Sequence, residues 1–267
     1  MAINPYFAEN NQFMKQELIA LALKAGDKIM DIYLHEDFES TVDFKSDNSP
    51  LTKADKAAHH IINDRLQELW PDIPVLSEEG RGIEYAERKD WTRFWLVDPL
   101  DGTKEFIKRN GQFTVNIALI DNGYPVLGVV YVPVQKALYW GDEQGASKIV
   151  DGKEVAIKVN HSSVNRTAVG SRSHSSQEEA DVMKNYCVEN TISVGSSLKF
   201  CMVAEGVADI YYRHGPTMEW DSAAGQAVVE AAGGAVLLPN GKRFKYNKEN
   251  LLNSSFYCLG GFDFVQP

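Results

Sequence analysis

The segment of the chain best suited to chemistry is residues 98–103, which reads Asp-Pro-Leu-Asp-Gly-Thr and directly follows an apolar run. Asp98 and Asp101 supply two carboxylates three residues apart, and the Leu100 carbonyl and Thr103 hydroxyl lie beside them. Hard oxygen ligands of this kind suit Mg²⁺. Because magnesium at the end of a strand is typical of phosphate chemistry, the segment predicts a metal-dependent phosphate site.

Three further segments carry acidic residues that could belong to the same site. Glu78 and Glu79 follow a short predicted strand, Asp221 lies in the string Trp-Asp-Ser-Ala-Ala-Gly, and Asp55 ends the string Ser-Pro-Leu-Thr-Lys-Ala-Asp. Each has an ordinary explanation by itself. Asp221 could be a helix N-cap, Glu78 and Glu79 a solvated loop end, and Asp55 a first-turn carboxylate favoured by the helix dipole.

Taken together and in this order, the four segments resemble the inositol monophosphatase superfamily. Its members share Asp-Pro-(Ile/Leu)-Asp-Gly-Thr, an upstream Glu-Glu and a downstream Trp-Asp-x-Ala-Ala-Gly, and the resemblance runs from about residue 11 to residue 260. Further strings are similar to the 3'(2'),5'-bisphosphate nucleotidase branch, at residues 49–55, 101–106, 171–174 and 195–201. Inositol-specific members tend to carry a Glu seven residues before the helix Asp, where this chain has His214. That difference counts against an inositol phosphate as the main substrate.

The resemblance implies a role for each motif residue. Two or three Mg²⁺ ions would be coordinated by Glu78, Asp98, the Leu100 carbonyl, Asp101 and Asp221. Asp55 and Thr103 would position a metal-activated water and take its proton, and Glu79 would be an outer or third-metal ligand. The substrate would contact Gly102, Thr103, His174, Ser196, Lys199 and Arg213. Ordinary interpretations stay open for three of these residues: Lys199 as a solvated helix residue, Arg213 as a surface charge and His174 as a loop histidine.

The implied activity is hydrolysis of adenosine 3',5'-bisphosphate to AMP and phosphate, in sulfur assimilation, with inhibition by Li⁺. An inositol monophosphatase or another sugar phosphatase of the superfamily is one alternative. A non-catalytic magnesium and nucleotide sensor is another, although a sensor has no use for the water-activating pair Asp55 and Thr103. Haloacid-dehalogenase-type phosphatases use Asp-x-Asp-Gly-Thr with a covalent aspartate. The extra residue between Asp98 and Asp101 disfavours that class.

Apolar periodicity predicts helices at residues 11–34 and 54–70, a polar loop at 80–93, and a series of strands over 94–159. Past residue 160, strands alternate with helices at 176–189, 196–205 and 221–232, the last rich in small residues that favour close packing on a sheet. We therefore predict an α/β fold. Residues 1–160 would form an α+β subdomain with most metal ligands, and residues 161–267 a smaller α/β subdomain across the active site. The resemblance implies a layered α-β-α-β sandwich of the inositol monophosphatase/fructose bisphosphatase type.

Composition limits the classes of partner. The chain has 267 residues and a net charge of −10, which argues against a nucleic-acid polymer but not against a small phosphorylated substrate whose metal reverses the local field. The three cysteines show no zinc-type spacing, so reduced thiols in the cytoplasm are the expectation. No run of about 18 apolar residues occurs, so we expect no transmembrane segment. A peripheral position on the cytoplasmic face of the inner membrane stays open.

Overall fold

The computed structural model describes residues 5–35, 42–44, 50–80, 82–162, 164–170 and 177–265. The helices are α1 (Pro5–His35), α2 (Lys53–Leu69), α3 (Tyr85–Arg88), α4 (Thr103–Ile107), α5 (Gln177–Asn185), α6 (Leu198–Ala204) and α7 (Glu219–Ala231). The strands are β1 (Val42–Phe44), β2 (Pro50–Thr52), β3 (Val75–Ser77), β4 (Arg93–Asp101), β5 (Thr114–Asp121), β6 (Tyr124–Val132), β7 (Ala137–Asp142), β8 (Gly145–Val150), β9 (Lys153–Ile157), β10 (Arg166–Gly170), β11 (Val188–Ser193), β12 (Ile210–Arg213), β13 (Ala235–Leu237) and β14 (Phe256–Leu259).

Two large sheets organise the described residues. Strands β3 to β9 form one sheet in chain order, in which β3 and β4 are parallel and every later pair is antiparallel. The second sheet has the order β11-β10-β12-β14-β13, parallel over the first three strands and antiparallel over the last three. Asn122 and Gly123 form the hairpin turn between β5 and β6, and both residues have positive φ angles, as the turn requires.

Helices and sheets stack in layers because each strand sends alternate side chains to opposite faces. Trp95 and Val97 of β4 pack with α1 and α2, whereas Phe94 and Leu96 pack with α6 and α7. The second sheet lies beyond α6 and α7, and α5 covers its outer face. The predicted α/β class and sandwich are confirmed. The predicted apolar stripe of α1 is also confirmed, since all its members are buried: Met14, Leu18, Leu21, Ala22, Ala25, Ile29, Ile32 and Tyr33.

Several predicted boundaries were wrong. The polar segment 80–93 contains α3, and its Arg88 is buried because the guanidinium donates hydrogen bonds to main-chain carbonyls. The helix predicted from residue 196 begins at Leu198, and the helix predicted over 176–189 ends at Asn185, before β11. Strands β1, β2 and β14 were not predicted, and within residues 94–159 the strand β8 was not among those expected. Within the described part of the chain, no helix is both long and apolar enough to cross a bilayer.

Helix α7 packs unusually close to its neighbours. A Cβ atom on Gly128 of β6 would lie 2.5 Å from the Ala224 carbonyl oxygen, and one on Gly141 of β7 would lie 2.7 Å from the Val228 Cα. The small residues of α7 therefore permit the close approach that the sequence predicted. Helix α7 belongs to the predicted second subdomain, which begins at residue 161, yet it packs on the first sheet. The division into two subdomains stays a prediction.

We expect Gly225→Ala to lower the free energy of unfolding by about 1–3 kcal/mol, as overpacking does in a dense core. The new Cβ would lie 2.4 Å from the Phe200 ring, which cannot move away because it is buried and stacked on Phe256. Urea denaturation would measure the loss. Gly82→Ala is the matched control, since a Cβ there meets nothing within 4 Å. Equal stability of the two variants would contradict this account of the packing.

Candidate active site

Three carboxylates distant in sequence converge at one end of the first sheet. Glu78 follows β3, Asp98 lies in β4, and Asp221 lies in the first turn of α7. One oxygen from each lies within 4.8 Å of the other two. The parallel pairing of β3 with β4 continues in a hydrogen bond from the Glu78 N–H to the Val97 carbonyl at 3.1 Å, which sets Glu78 beside Asp98. The fold thus brings together three of the predicted metal ligands.

Backbone N–H groups orient two of these carboxylates. The Leu100 N–H donates to Asp98 Oδ1 at 3.0 Å, and the Met218 N–H donates to Asp221 Oδ2 at 2.8 Å. Met218 is the N-cap of α7 and Asp221 is the third residue of the helix. The interpretation of Asp221 as the N-cap itself is therefore wrong, although its carboxylate does help to close the first turn.

The electrostatics of the cluster favour a bound cation. Burial raises the pKa of Asp98 well above its usual value, and the neighbouring Glu78 and Asp101 charges raise that pKa further. Burial also raises the pKa of Asp221, again with help from Asp101. Among the described residues, no lysine or arginine forms an ion pair with Asp98 or Asp221. A hard divalent cation would offset both repulsion and desolvation, so this donor set fits Mg²⁺.

Asp101 lies at the edge of this cluster and faces a different partner. Its Oδ2 accepts hydrogen bonds from the Ser197 N–H at 2.6 Å and from Ser197 Oγ at 2.7 Å. The pairing of β4 with β5 is irregular between Asp98 and Asp101, so the two side chains do not follow simple strand alternation. The Leu100 carbonyl oxygen between them lies 3.4 Å from Thr103 Oγ1. That Asp101 and the Leu100 carbonyl bind metal stays a prediction.

The predicted pair Asp55 and Thr103 is in direct contact. Thr103 Oγ1 donates to Asp55 Oδ1 at 3.2 Å, while Asp55 Oδ2 accepts the Thr52 N–H at 2.7 Å and the Thr52 hydroxyl. Burial raises the pKa of Asp55, which is only 2% exposed. Gly102 adopts φ +94°, and this left-handed residue starts α4 so that Thr103 faces Asp55. The geometry suits a hydroxyl that relays a proton to a carboxylate.

Beside the carboxylates lies a cleft of about 190 Å³ that contains two cationic side chains. Lys199 is 6% exposed and donates from Nζ to the carbonyls of Ser196 at 2.8 Å and Val194 at 3.3 Å. Burial lowers the pKa of Lys199 to about 8, and the Asp101 charge partly opposes this shift. The interpretation of Lys199 as a solvated residue is therefore wrong. Arg213 also lines the cleft, held by hydrogen bonds to the carbonyls of Gly215 and Pro216.

The remaining predicted contacts differ in how the structure places them. Ser196 lines the cleft with φ +49°, and its Oγ has no hydrogen-bond partner in the described part of the chain. Glu79 is half-buried next to Glu78. His214 lies with Nδ1 at 3.5 Å from Tyr212 Oη. His174 lies outside the described residues.

Sequence reasoning missed three residues that hold the site together. Thr52 anchors Asp55, and the Thr-x-x-Asp spacing of a capping box could have revealed it. Ser197 and Asn116 gave no such signal. Ser197 Oγ lies 2.7 Å from both Asp101 Oδ2 and the Asp221 carbonyl, and Asn116 Nδ2 donates to that hydroxyl at 2.8 Å. These contacts join β5, the end of β4 and α7, so only the tertiary structure shows them.

Comparison with known proteins identifies the family of the chain. The model of the inositol monophosphatase family matches residues 10–259. The chain is 50% identical over 253 residues to the 3'(2'),5'-bisphosphate nucleotidase CysQ of Shigella flexneri, covering 91% of this chain and 98% of that protein. It is 40% identical to the Buchnera aphidicola protein of the same name, covering 96% and 98% of the two chains.

Solved structures show the same relationship. The crystal structure of CysQ from Bacteroides thetaiotaomicron, a bacterial member of the inositol monophosphatase family, superposes with a TM-score of 0.82 at 46% identity, covering 97% of this chain and 100% of that one. An inositol monophosphatase from Anabaena superposes with a TM-score of 0.75 at 25% identity, covering 94% and 92%. From its fold, its carboxylate cluster and these matches, the chain belongs to the inositol monophosphatase family.

Proposed function

We propose that the protein is a Mg²⁺-dependent 3'(2'),5'-bisphosphate nucleotidase that hydrolyses adenosine 3',5'-bisphosphate to AMP and phosphate. The observation that carries this proposal is the convergence of Glu78, Asp98 and Asp221 beside a cleft that contains Lys199 and Arg213. The anionic cluster is suited to metal and the cleft to a second phosphate. Relatives that are about 50% identical to this chain are named 3'(2'),5'-bisphosphate nucleotidase CysQ, which supports the same activity.

The metal would be held by the buried acidic end of the first sheet. Its ligands would be Glu78, Asp98, the Leu100 carbonyl, Asp101 and Asp221, for two or three ions, with Glu79 in an outer position. When bound, Mg²⁺ would lower the pKa of a coordinated water and neutralise charge on the phosphate. Inhibition by Li⁺, a role in sulfur assimilation and a cytoplasmic location, all expected from the resemblance, remain parts of this proposal.

The chain's own contribution to water activation is the contact between Thr103 and Asp55. Thr103 Oγ1 would accept the proton of the attacking water as it passes its own proton to Asp55 Oδ1, 3.2 Å away. Thr52 holds the other carboxylate oxygen, so Asp55 cannot rotate away. The raised pKa of Asp55 makes it a stronger base than an exposed aspartate. The water oxygen would bond to phosphorus as the bond between phosphorus and the ribose 3' oxygen breaks, and the departing 3' oxygen would take up a proton from solvent to become a hydroxyl.

The cleft accounts for the preference for a bisphosphate. Lys199 uses two of its three N–H donors on main-chain carbonyls, which leaves one for a ligand. Arg213 lines the same cleft, and Ser196 offers an Oγ with no partner among the described residues. We propose that these side chains bind the phosphate that is not cleaved, with His174 near it. Gly102 and Thr103 would contact the substrate beside the carboxylates. An inositol monophosphate has no second phosphate for Lys199, Arg213 and Ser196 to bind.

A substrate panel tests the proposed activity. Phosphate release would be measured for adenosine 3',5'-bisphosphate, inositol 1-phosphate and fructose 1,6-bisphosphate, with Mg²⁺ and with a chelator. We expect the adenosine compound to have the highest kcat/KM, and chelation to abolish turnover. Equal or faster turnover of inositol 1-phosphate would favour the inositol monophosphatase alternative, and no turnover of any substrate would favour the sensor.

Asp98→Asn should lower turnover by more than about 100-fold, because the loss of a direct ligand should exceed the effect of losing an outer partner. The variant should remain folded. In chelator at pH 7 it should melt at a temperature equal to or above that of the parent, since the neutral amide escapes the repulsion and desolvation that raise the pKa of Asp98. Asp121→Asn, which removes an exposed ion pair with Arg93, is the control. Substantial activity in folded Asp98→Asn would remove Asp98 from the metal site.

Lys199→Met should raise the KM for adenosine 3',5'-bisphosphate by about 10-fold or more, the worth of one charge-assisted hydrogen bond. Methionine keeps the buried stem and removes the charge together with the hydrogen bonds to the Ser196 and Val194 carbonyls. The control is Lys184→Met, because Lys184 of α5 is exposed, and this variant should leave the KM unchanged. Steady-state kinetics would measure the KM for adenosine 3',5'-bisphosphate in both variants. An unchanged KM in Lys199→Met would refute its role in phosphate binding.

A further inference from the structure

Glu219 and Lys248 form an ion pair in which the Glu219 side chain is buried and the Lys248 side chain is 35% exposed, and the proposed mechanism does not use it. Glu219 is fully buried, two residues before Asp221. Its carboxylate accepts three hydrogen bonds: from the Asn247 N–H at 2.8 Å, from the Lys248 N–H at 2.9 Å and from Lys248 Nζ at 2.6 Å. A buried ion pair is weak support for stability alone, but it can fix one arrangement among several.

The lysine of this ion pair also orients the side-chain amide of Asn253. Lys248 Nζ also donates to Asn253 Oδ1 at 3.1 Å, which fixes the direction of the amide group of Asn253. Its Nδ2 therefore points the other way, and donates to the Met218 carbonyl at 2.7 Å. The same nitrogen lies 3.1 Å from Thr217 Oγ1 and 3.0 Å from Ser222 Oγ. Each polar group in this chain of contacts is satisfied, so the network has one preferred geometry.

Met218 connects the network to the metal cluster. Its carbonyl is held by Asn253, and its N–H is the donor that orients Asp221 Oδ2 at 2.8 Å. A β-bridge to Leu252 and a hydrogen bond from the Asn253 N–H to the Thr217 carbonyl hold the same stretch of backbone. Asn253 therefore holds both peptide groups that flank Met218, through the Thr217 carbonyl on one side and the Met218 carbonyl on the other, and the Asp221 carboxylate keeps its direction toward Glu78 and Asp98.

The network also reaches the segment that follows Glu78. Arg88 of α3 is 2% exposed and donates to Asn247 Oδ1 and to the carbonyls of Lys248 and Glu249, at 2.7–2.9 Å. Asn247 Nδ2 donates back to the Arg88 carbonyl at 2.7 Å. The loop that carries Lys248 is thereby fixed to the chain between Glu78 and Asp98.

We propose that Glu219 is a positioning residue for the metal ligand Asp221, acting through Lys248, Asn253 and the two peptide groups that flank Met218. The inference depends on the proposed function only for the binding of metal by Asp221. Outer partners that orient metal ligands typically contribute 10–100-fold to metal affinity. Glu219 should therefore govern the affinity for metal more than the stability of the fold.

Titration of the metal-free protein with Mn²⁺, followed by electron paramagnetic resonance, tests this directly. Glu219→Gln retains one acceptor oxygen but loses the charge, and we expect Mn²⁺ affinity to fall about 10-fold or more. The Mg²⁺ concentration for half-maximal activity should rise by a similar factor, and kcat should recover when Mg²⁺ is saturating. Glu230→Gln is the matched control, because Glu230 lies on the same helix and pairs with Arg243 at 2.7 Å. It should leave Mn²⁺ affinity unchanged.

Unchanged Mn²⁺ affinity in folded Glu219→Gln, or an equal loss in Glu230→Gln, would overturn the inference. Should Glu219→Gln fail to fold, Asn253→Ser decides, since it keeps the Glu219–Lys248 pair but removes the amide that holds the Met218 carbonyl. That variant should show the same loss of affinity, and an unchanged value would overturn the inference. If the unaltered protein bound no Mn²⁺, the proposed metal site itself would fail, an outcome distinct from an unchanged affinity.

Discussion

The structure depends on the burial of like charges in one place. Glu78, Asp98 and Asp221 each bring an oxygen within 4.8 Å of the others, in a region where burial already raises the pKa of two of them. Such an arrangement is unfavourable for an empty folded protein and favourable for one that holds a divalent cation. The surrounding N–H donors, from Leu100 and Met218, fix the direction of the carboxylates without neutralising them. The fold therefore keeps the charge available for a metal.

Close packing is what allows the charges to meet. Asp221 belongs to a helix that reaches the first sheet only because Gly128 and Gly141 leave room for its backbone. On the other side, Gly225 admits the ring of Phe200 and so brings α6 against α7. Lys199, the residue before Phe200, is thereby buried at the edge of the cleft. The metal cluster and the cationic cleft thus share one set of helix contacts.

The acidic net charge of the chain does not describe its cleft. A protein with a net charge of −10 would repel a bisphosphate at long range. Lys199 and Arg213 line the same cleft as Asp101 and Asp221, and Lys199 is buried. Their positive charges therefore act on a ligand at short range. With its pKa lowered to about 8, Lys199 is still mostly charged near neutral pH. A metal held by the carboxylates, together with Lys199 and Arg213, would make the site attractive to phosphate.

The sequence by itself determined the carboxylate motif, the family and the apolar stripe of α1, because each is a local pattern with a fixed spacing. It also identified Asp55 with Thr103, since both stand inside recognisable strings. Only the tertiary structure decided which carboxylates meet, that Lys199, Arg88 and Glu219 are buried, and that Ser197 contacts Asp101. Those residues act through contacts between segments far apart in the chain. A buried polar side chain satisfied by distant main-chain groups leaves no periodic or compositional trace, so no local pattern could reveal it.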